Sequence, residues 1–182
     1  MIRTNNYMII EDTNFLSDNS IDFIENYIMT NNFPFYMQHE AVKGDNLKNM
    51  THVVLPRVEE RDDSYIKHPH YENFVNILND FCIKNDIKYD EIFRIAINLT
   101  YYNGISDKSP THCDHEFEHN QLLVYLNEPL DKKSSTILLD DNNNVIREIL
   151  PEKFKGVSFS KMPHYLNFPK IGERYILVFT FR

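Results

Sequence analysis

The sequence predicts a mainly β protein with flanking helices, the helices gathered ahead of the strands. Three observations lead there. Two segments in the first half repeat apolar residues at helical spacing. After Asp90 the pattern changes to short runs that alternate apolar and polar residues. No helical pattern separates those later runs, so the crossovers of a parallel sheet are absent and an antiparallel sandwich or barrel is expected.

The first helix is expected over Ser20–Thr30, where Ile21, Phe23, Ile24, Tyr27 and Ile28 share one side and Asp18, Asn19 and Ser20 are N-cap candidates. Phe33–Met37 is short and aromatic, as a strand would be. From Met50 to His70 a short apolar run, Val53–Leu55, gives way to charges and prolines, which reads as a strand end and then a long loop. A second helix is expected from about Tyr71 to Lys84, with Phe74, Ile77, Leu78, Phe81 and Cys82 as its buried stripe. Glu91–Tyr102 alternates: Phe93, Ile95, Ile97, Leu99 and Tyr101 face one way, and Arg94, Ala96, Asn98, Thr100 and Tyr102 the other. Further strands are expected at Gln121–Leu126, Thr136–Leu139, Val157–Ser160 and Tyr175–Phe181. The 182 residues suit a single domain, with 1–90 as a helical and mixed part and 91–182 as the β core.

Composition bounds the function. Thirteen Phe and 11 Tyr against 4 Gly mark a chain that folds. A net charge of −8 argues against duplex nucleic acid, whose phosphates call for clustered Lys and Arg. Two cysteines, Cys82 and Cys113, make no disulfide framework. With no charged-then-apolar leader and no run of roughly 20 apolar residues, neither secretion nor a membrane span is expected, and the cytoplasm is the default.

Chemistry concentrates in Thr111-His-Cys-Asp-His-Glu-Phe-Glu-His119. His112 and Asp114 are two apart, so in extended chain both side chains point the same way and Cys113 points opposite. An oxygen-activating non-haem iron site uses two His and one carboxylate and leaves its other positions open. The second His must come from elsewhere, and His164 is the candidate. His115 and His119 are the internal rivals: were their segment helical, an i,i+4 pair would also suit a metal. Failing that, they are supporting or solvated. His68 and His70 flank Pro69 in the long loop and read as surface or substrate-side groups.

Arg174 stands ten residues past His164, in a run whose faces are Arg174, Ile176, Val178, Thr180 and Tyr175, Leu177, Phe179, Phe181. Both faces are largely apolar, so the guanidinium enters a buried interior. A buried Arg calls for an anion, and a dicarboxylate would fit its planar fork.

Taken together these motifs resemble the catalytic domain of the 2-oxoglutarate/Fe(II) oxygenases, in the prolyl-4-hydroxylase-like branch. The resemblance rests on Asn98-Leu-Thr-Tyr-Tyr-Asn-Gly104, His112-Cys-Asp114, Tyr125-Leu-Asn127 and His164 with Arg174, in order over about half of the chain. It implies a double-stranded β-helix, the jelly-roll or cupin-like core, with N-terminal helices packed on it. It also implies Fe(II) held by His112, Asp114 and His164, with 2-oxoglutarate and O2 as cosubstrates. Arg174 would meet the far carboxylate of 2-oxoglutarate, joined by Tyr125; Tyr102 and Leu123 would lie beside the cosubstrate. Tyr101 also fits the motif, but Tyr102 shares the more polar strand face with Arg94 and Asn98. Those two are candidates for substrate contact or fold support. One departure is Lys133-Ser-Ser-Thr-Ile, where many relatives carry a Gly pair.

The reaction implied is hydroxylation of a C–H bond, with 2-oxoglutarate decarboxylated to succinate. A peptidyl residue such as proline is the leading substrate, with small molecules open. The rival reading is a non-catalytic cupin-like module, binding a metal or ligand and possible in a viral setting; it has no need of Arg174 at that offset.

Overall fold

A computed structural model of the chain describes residues 2–4, 7–40, 47–62, 64–102 and 104–182. Asn103, part of the Asn98–Gly104 motif, lies outside the described residues. The strands are β1 (Ile2–Thr4), β2 (Tyr7–Asp12), β3 (Tyr36–Gln38), β4 (Asn49–Leu55), β5 (Ile92–Tyr101) and β6 (Asn120–Tyr125). They continue with β7 (Thr136–Leu139), β8 (Val145–Ile149), β9 (Gly156–Ser160), β10 (His164–Leu166) and β11 (Glu173–Phe181). The helices are α1 (Asp18–Phe23) and α2 (Tyr71–Lys84).

Eight strands form one sheet in the order β1-β2-β9-β6-β11-β5-β4-β3, and three form a smaller one, β10-β7-β8. Each pairing in both is antiparallel. Two isolated bridges, Lys108↔Asn167 and His112↔His164, lay the 108–112 segment against β10 and so widen the small sheet. This is the jelly-roll that the resemblance implies, with the helices packed on the large sheet.

Alternation separates two cores. Ile95, Ile97, Leu122, Val124, Leu177 and Phe179 point to the helices and pack with Phe74, Ile77, Leu78 and Phe81 of α2. Leu123, Tyr125, Ile176 and Val178 point the other way, toward Leu138 and Ile149 of the small sheet. A cavity opens in this second, inter-sheet space.

The α2 boundaries match the expected ones, because five buried apolar residues share one stripe. Helix α1 differs at both ends. Ser17, rather than Asp18–Ser20, is the N-cap, its Oγ accepting from Ser20 N. The helix then widens to π geometry over Ile24–Ile28, with Met29 N donating to Ile24 O at 2.8 Å. The expected Phe33–Met37 strand shifts to Tyr36–Gln38, since Phe33 is buried beside Tyr27 and His52 and Pro34 offers no N–H.

Gly156, on β9, lies against Phe81 of α2 and Phe15. A Cβ there would sit 2.7 Å from the rings of both Phe15 and Phe81. Gly156→Ala is therefore expected to destabilise the fold by roughly 1–3 kcal/mol through overpacking. A thermal melt checks this; an unchanged midpoint would show that the two rings can give way. Among the described residues no helix is long and apolar enough to cross a membrane.

Candidate metal centre

The centre is built on one strand pairing. His112 N donates to His164 O at 3.0 Å, and His164 N donates to His112 O at 2.9 Å. This reciprocal pair places both side chains on the same face of the small sheet, with ring centroids 4.6 Å apart. Each imidazole is then oriented by the backbone two residues earlier. His112 Nδ1 donates to Pro110 O at 3.2 Å, and His164 Nδ1 donates to Met162 O at 3.0 Å. Those bonds fix the tautomer and leave both Nε2 lone pairs free on the shared face.

Asp114 completes the set. The candidate ligand atoms of His112, Asp114 and His164 all lie within 4.8 Å of one another. Asp114 Oδ2 is 3.5 Å from His164 Nε2, and Oδ1 faces Arg57 Nη2 at 3.4 Å and Arg94 Nη1 at 3.5 Å. Burial pushes the Asp114 carboxyl up, but His164, Arg94, His112 and Arg57 outweigh it and hold the group well below the usual carboxylate range. Burial pushes His164 down to about 4, the Asp114 charge only partly opposing it, so the imidazole is neutral and ready to bind a cation. Two imidazole nitrogens and one carboxylate oxygen suit a divalent first-row transition metal.

The triad opens into a pocket whose lining also includes Asn98, Leu123, Thr136, Arg174, Ile176 and Val178. Arg174 is 4% exposed, and among the described residues no carboxylate pairs with it. Its Nη2 donates to Thr136 Oγ1 at 2.6 Å, while its buried Nε has no partner. Tyr125 backs it: the guanidinium carbon stands 5.3 Å from the ring centroid, and Tyr125 Oη shares a 2.9 Å hydrogen bond with Thr136 Oγ1. An orphaned donor on a buried, acid-free arginine is the arrangement that a ligand carboxylate satisfies.

Of the residues singled out from sequence, the pocket gathers His112, Asp114, His164, Arg174, Leu123 and Asn98, with Tyr125 behind Arg174. Asn98 Oδ1 accepts from the Thr51 hydroxyl at 2.6 Å. Arg94 is placed against Asp114. Tyr102 is not brought in. It is 44% exposed, beneath Lys170 Nζ at 4.5 Å from its ring. Strand β5 ends at Tyr101, so the alternation that would turn Tyr102 inward has lapsed one residue earlier.

The rival histidines are occupied elsewhere, on an irregular segment. His115 Nε2 donates to Thr180 Oγ1 at 2.8 Å while its Nδ1 faces Arg57 Nη1 at 3.5 Å; His119 Nδ1 meets Phe117 O at 2.9 Å. His68 Nε2 lies 3.2 Å from His52 Nε2, and His70 packs on Tyr27; neither lines the pocket. Cys82 is a core residue whose thiol burial pushes up to about 11. Cys113 is half-buried beside the triad, with a thiol also raised by burial.

Sequence reasoning missed Thr136, which ties Arg174 to Tyr125, and Arg57, which reaches Asp114 from the long loop. The strand pattern at Thr136–Leu139 could have flagged the first; nothing local flags the second.

The buried neutral histidines set a pH dependence. Burial also pushes His115 down to about 4, against an ordinary value of 6.5. For a lowered pKa the unfolded chain takes up protons first, so stability is full above pH 6.5 and is lost as pH falls toward 4. The metal-free midpoint is therefore expected to drop across that window in a melting series; a flat profile would mean that neither imidazole is held neutral.

No family model and no curated protein sequence matches the chain. Solved structures do match. A 2OG-Fe(II) oxygenase family oxidoreductase from Burkholderia pseudomallei superposes with a TM-score of 0.70 at 15% identity, over 96% of this chain and 84% of that one. A prolyl hydroxylase from Trichoplax adhaerens, in complex with a hypoxia inducible factor peptide fragment, gives 0.62 at 16% identity over 98% and 84%. A prolyl-4-hydroxylase from Pseudomonas putida gives 0.62 at 13% identity over 97% and 93%. The fold of this chain, helices and jelly-roll together, is thus the one found in 2OG-Fe(II) oxygenases and prolyl hydroxylases.

Proposed function

We propose that this chain is an Fe(II)- and 2-oxoglutarate-dependent oxygenase that hydroxylates a C–H bond, with a peptidyl residue such as proline as the leading substrate class. One observation carries the reading: a His-Asp-His donor set and a buried, acid-free arginine share a single pocket. The peptide preference is supported by the prolyl hydroxylases among the structural neighbours.

His112, Asp114 and His164 would hold the iron, and Arg174 with Thr136 and Tyr125 would receive the far carboxylate of 2-oxoglutarate. Once bound, iron and cosubstrate supply oxidative decarboxylation to succinate and carbon dioxide, coupled to hydroxylation of the substrate. The protein's own share is orientation and exclusion. The carbonyls of Pro110 and Met162 hold the imidazoles, and Leu123, Ile176 and Val178 form a wall that keeps water from the reacting face.

Anaerobic addition of Fe(II) and then 2-oxoglutarate tests this reading. A weak visible charge-transfer band is expected, absent in His164→Ala and Arg174→Ala. Its absence in the wild-type protein, or its survival in both variants, would favour the cupin-like binding module instead. Succinate release across a panel of peptides and metabolites then assigns the substrate.

A further inference from the structure

The carboxylate of Asp114 is held unevenly. Both arginines that reach it, Arg57 and Arg94, stand on Oδ1, at 3.4 and 3.5 Å, and neither is paired with Oδ2. Oδ2 is left facing His164 Nε2 at 3.5 Å. Arg57 is itself fixed. Its Nη1 donates to the Asp114 main-chain carbonyl, its backbone N–H donates to Glu60 Oε2 at 3.2 Å, and its Nη1 stands 3.5 Å from His115 Nδ1. Arg94 comes from the inward face of β5, where it pairs across the sheet with Thr180, the residue that binds His115. Two independent parts of the chain therefore converge on one oxygen of the ligand.

We infer that Arg57 and Arg94 are positioning residues that reserve Oδ1, so that Asp114 gives a metal ion a single oxygen. The inference rests on the metal reading above and adds to it. A carboxylate that closes with both oxygens takes two positions on the metal, and one of those is then lost to ligands from solution. A carboxylate with one oxygen facing two guanidiniums closes in this way only by giving up both ion pairs. The arginines also oppose the approach of a cation, so their presence is not explained as an aid to metal affinity.

The test counts exchangeable water on Mn(II), a redox-stable stand-in, by water-proton relaxation of the Mn(II)-loaded protein. Three protein ligands on a six-position metal leave three waters, and a two-oxygen Asp114 leaves two, so R57Q/R94Q is expected to lose about one third of the relaxation enhancement. Mn(II) affinity is expected to be equal or higher, because two neighbouring positive charges are gone. A merely structural role predicts the opposite, weaker Mn(II) binding with a proportionate loss of bound signal. R57Q alone, on a partly exposed loop, gives the same readout with less risk to the core, and R57K is expected to restore the wild-type value. An enhancement in R57Q and R57Q/R94Q equal to the wild type overturns the inference and leaves the metal reading intact. Failure of the wild-type protein to bind Mn(II), or equal binding by His164→Ala, overturns both.

Discussion

Replacing Arg174 with Met is expected to weaken 2-oxoglutarate binding by roughly 10²–10⁴-fold, and to raise the melting temperature measured without it. The two effects have one origin. A guanidinium fork gives a carboxylate two charge-assisted hydrogen bonds, each contributing about 1.5–3 kcal/mol, and every 1.4 kcal/mol is about tenfold in affinity. Without a ligand those donors are stranded: Arg174 is buried, and among the described residues its Nε has no partner and only Thr136 accepts from its side chain. An apolar side chain of similar length removes a buried charge at little structural cost, a change that is neutral or stabilising by about 1–4 kcal/mol. Thr136 keeps its bond to Tyr125. Calorimetric titration of Fe(II)-loaded protein and a thermal melt decide it. A Met variant that binds 2-oxoglutarate normally, or one that melts lower, would mean that the arginine is structural.

Asp114→Asn is expected to act in the reverse sense and cost about 3 kcal/mol of stability, or roughly 6–12 °C. It removes the carboxylate and leaves Arg57 and Arg94 facing a neutral amide, with Arg94 only 16% exposed. Breaking one side of a buried ion pair is costly because the remaining charge stays desolvated. His164→Ala, by contrast, leaves no charge stranded. Adding Arg94→Met to Asp114→Asn is expected to recover much of the stability and none of the metal binding. Melting the two variants and their combination measures the coupling, and additive effects would show that the arginine and the carboxylate are independent.

Legibility in the sequence followed length and regularity. Helix α2 and strands β6, β7 and β11 were readable because each carries several large apolar residues at one period. Strand β8 was not, since four of its five residues are partly or wholly exposed and show no stripe, and β10 is only three residues long. The triad was accessible because two of its members are neighbours in sequence and the third precedes Arg174. Arg57 was inaccessible: it meets Asp114 across 57 positions, from a loop with no periodicity to place it. Tyr102 shows the opposite hazard. An alternation that holds from Arg94 to Thr100 was extended one residue past the strand's end, where the hydrogen-bond ladder no longer fixes which way a side chain turns.

The place of β11 bears on how the molecule reaches this state. It is the last of the strands in chain order, yet it lies between β5 and β6, pairing residues 173–181 with one neighbour and 176–181 with the other. Until it enters, both neighbours present open edges, and no local pairing can substitute for it. The step that closes the sheet is therefore long-range in the chain and slow for its size. Because Arg174, Ile176 and Val178 ride on this strand, the pocket exists only once β11 has paired with its neighbours. A chain without β11 in place lacks this pocket, so a ligand of the pocket can stabilise only molecules in which the sheet is already closed.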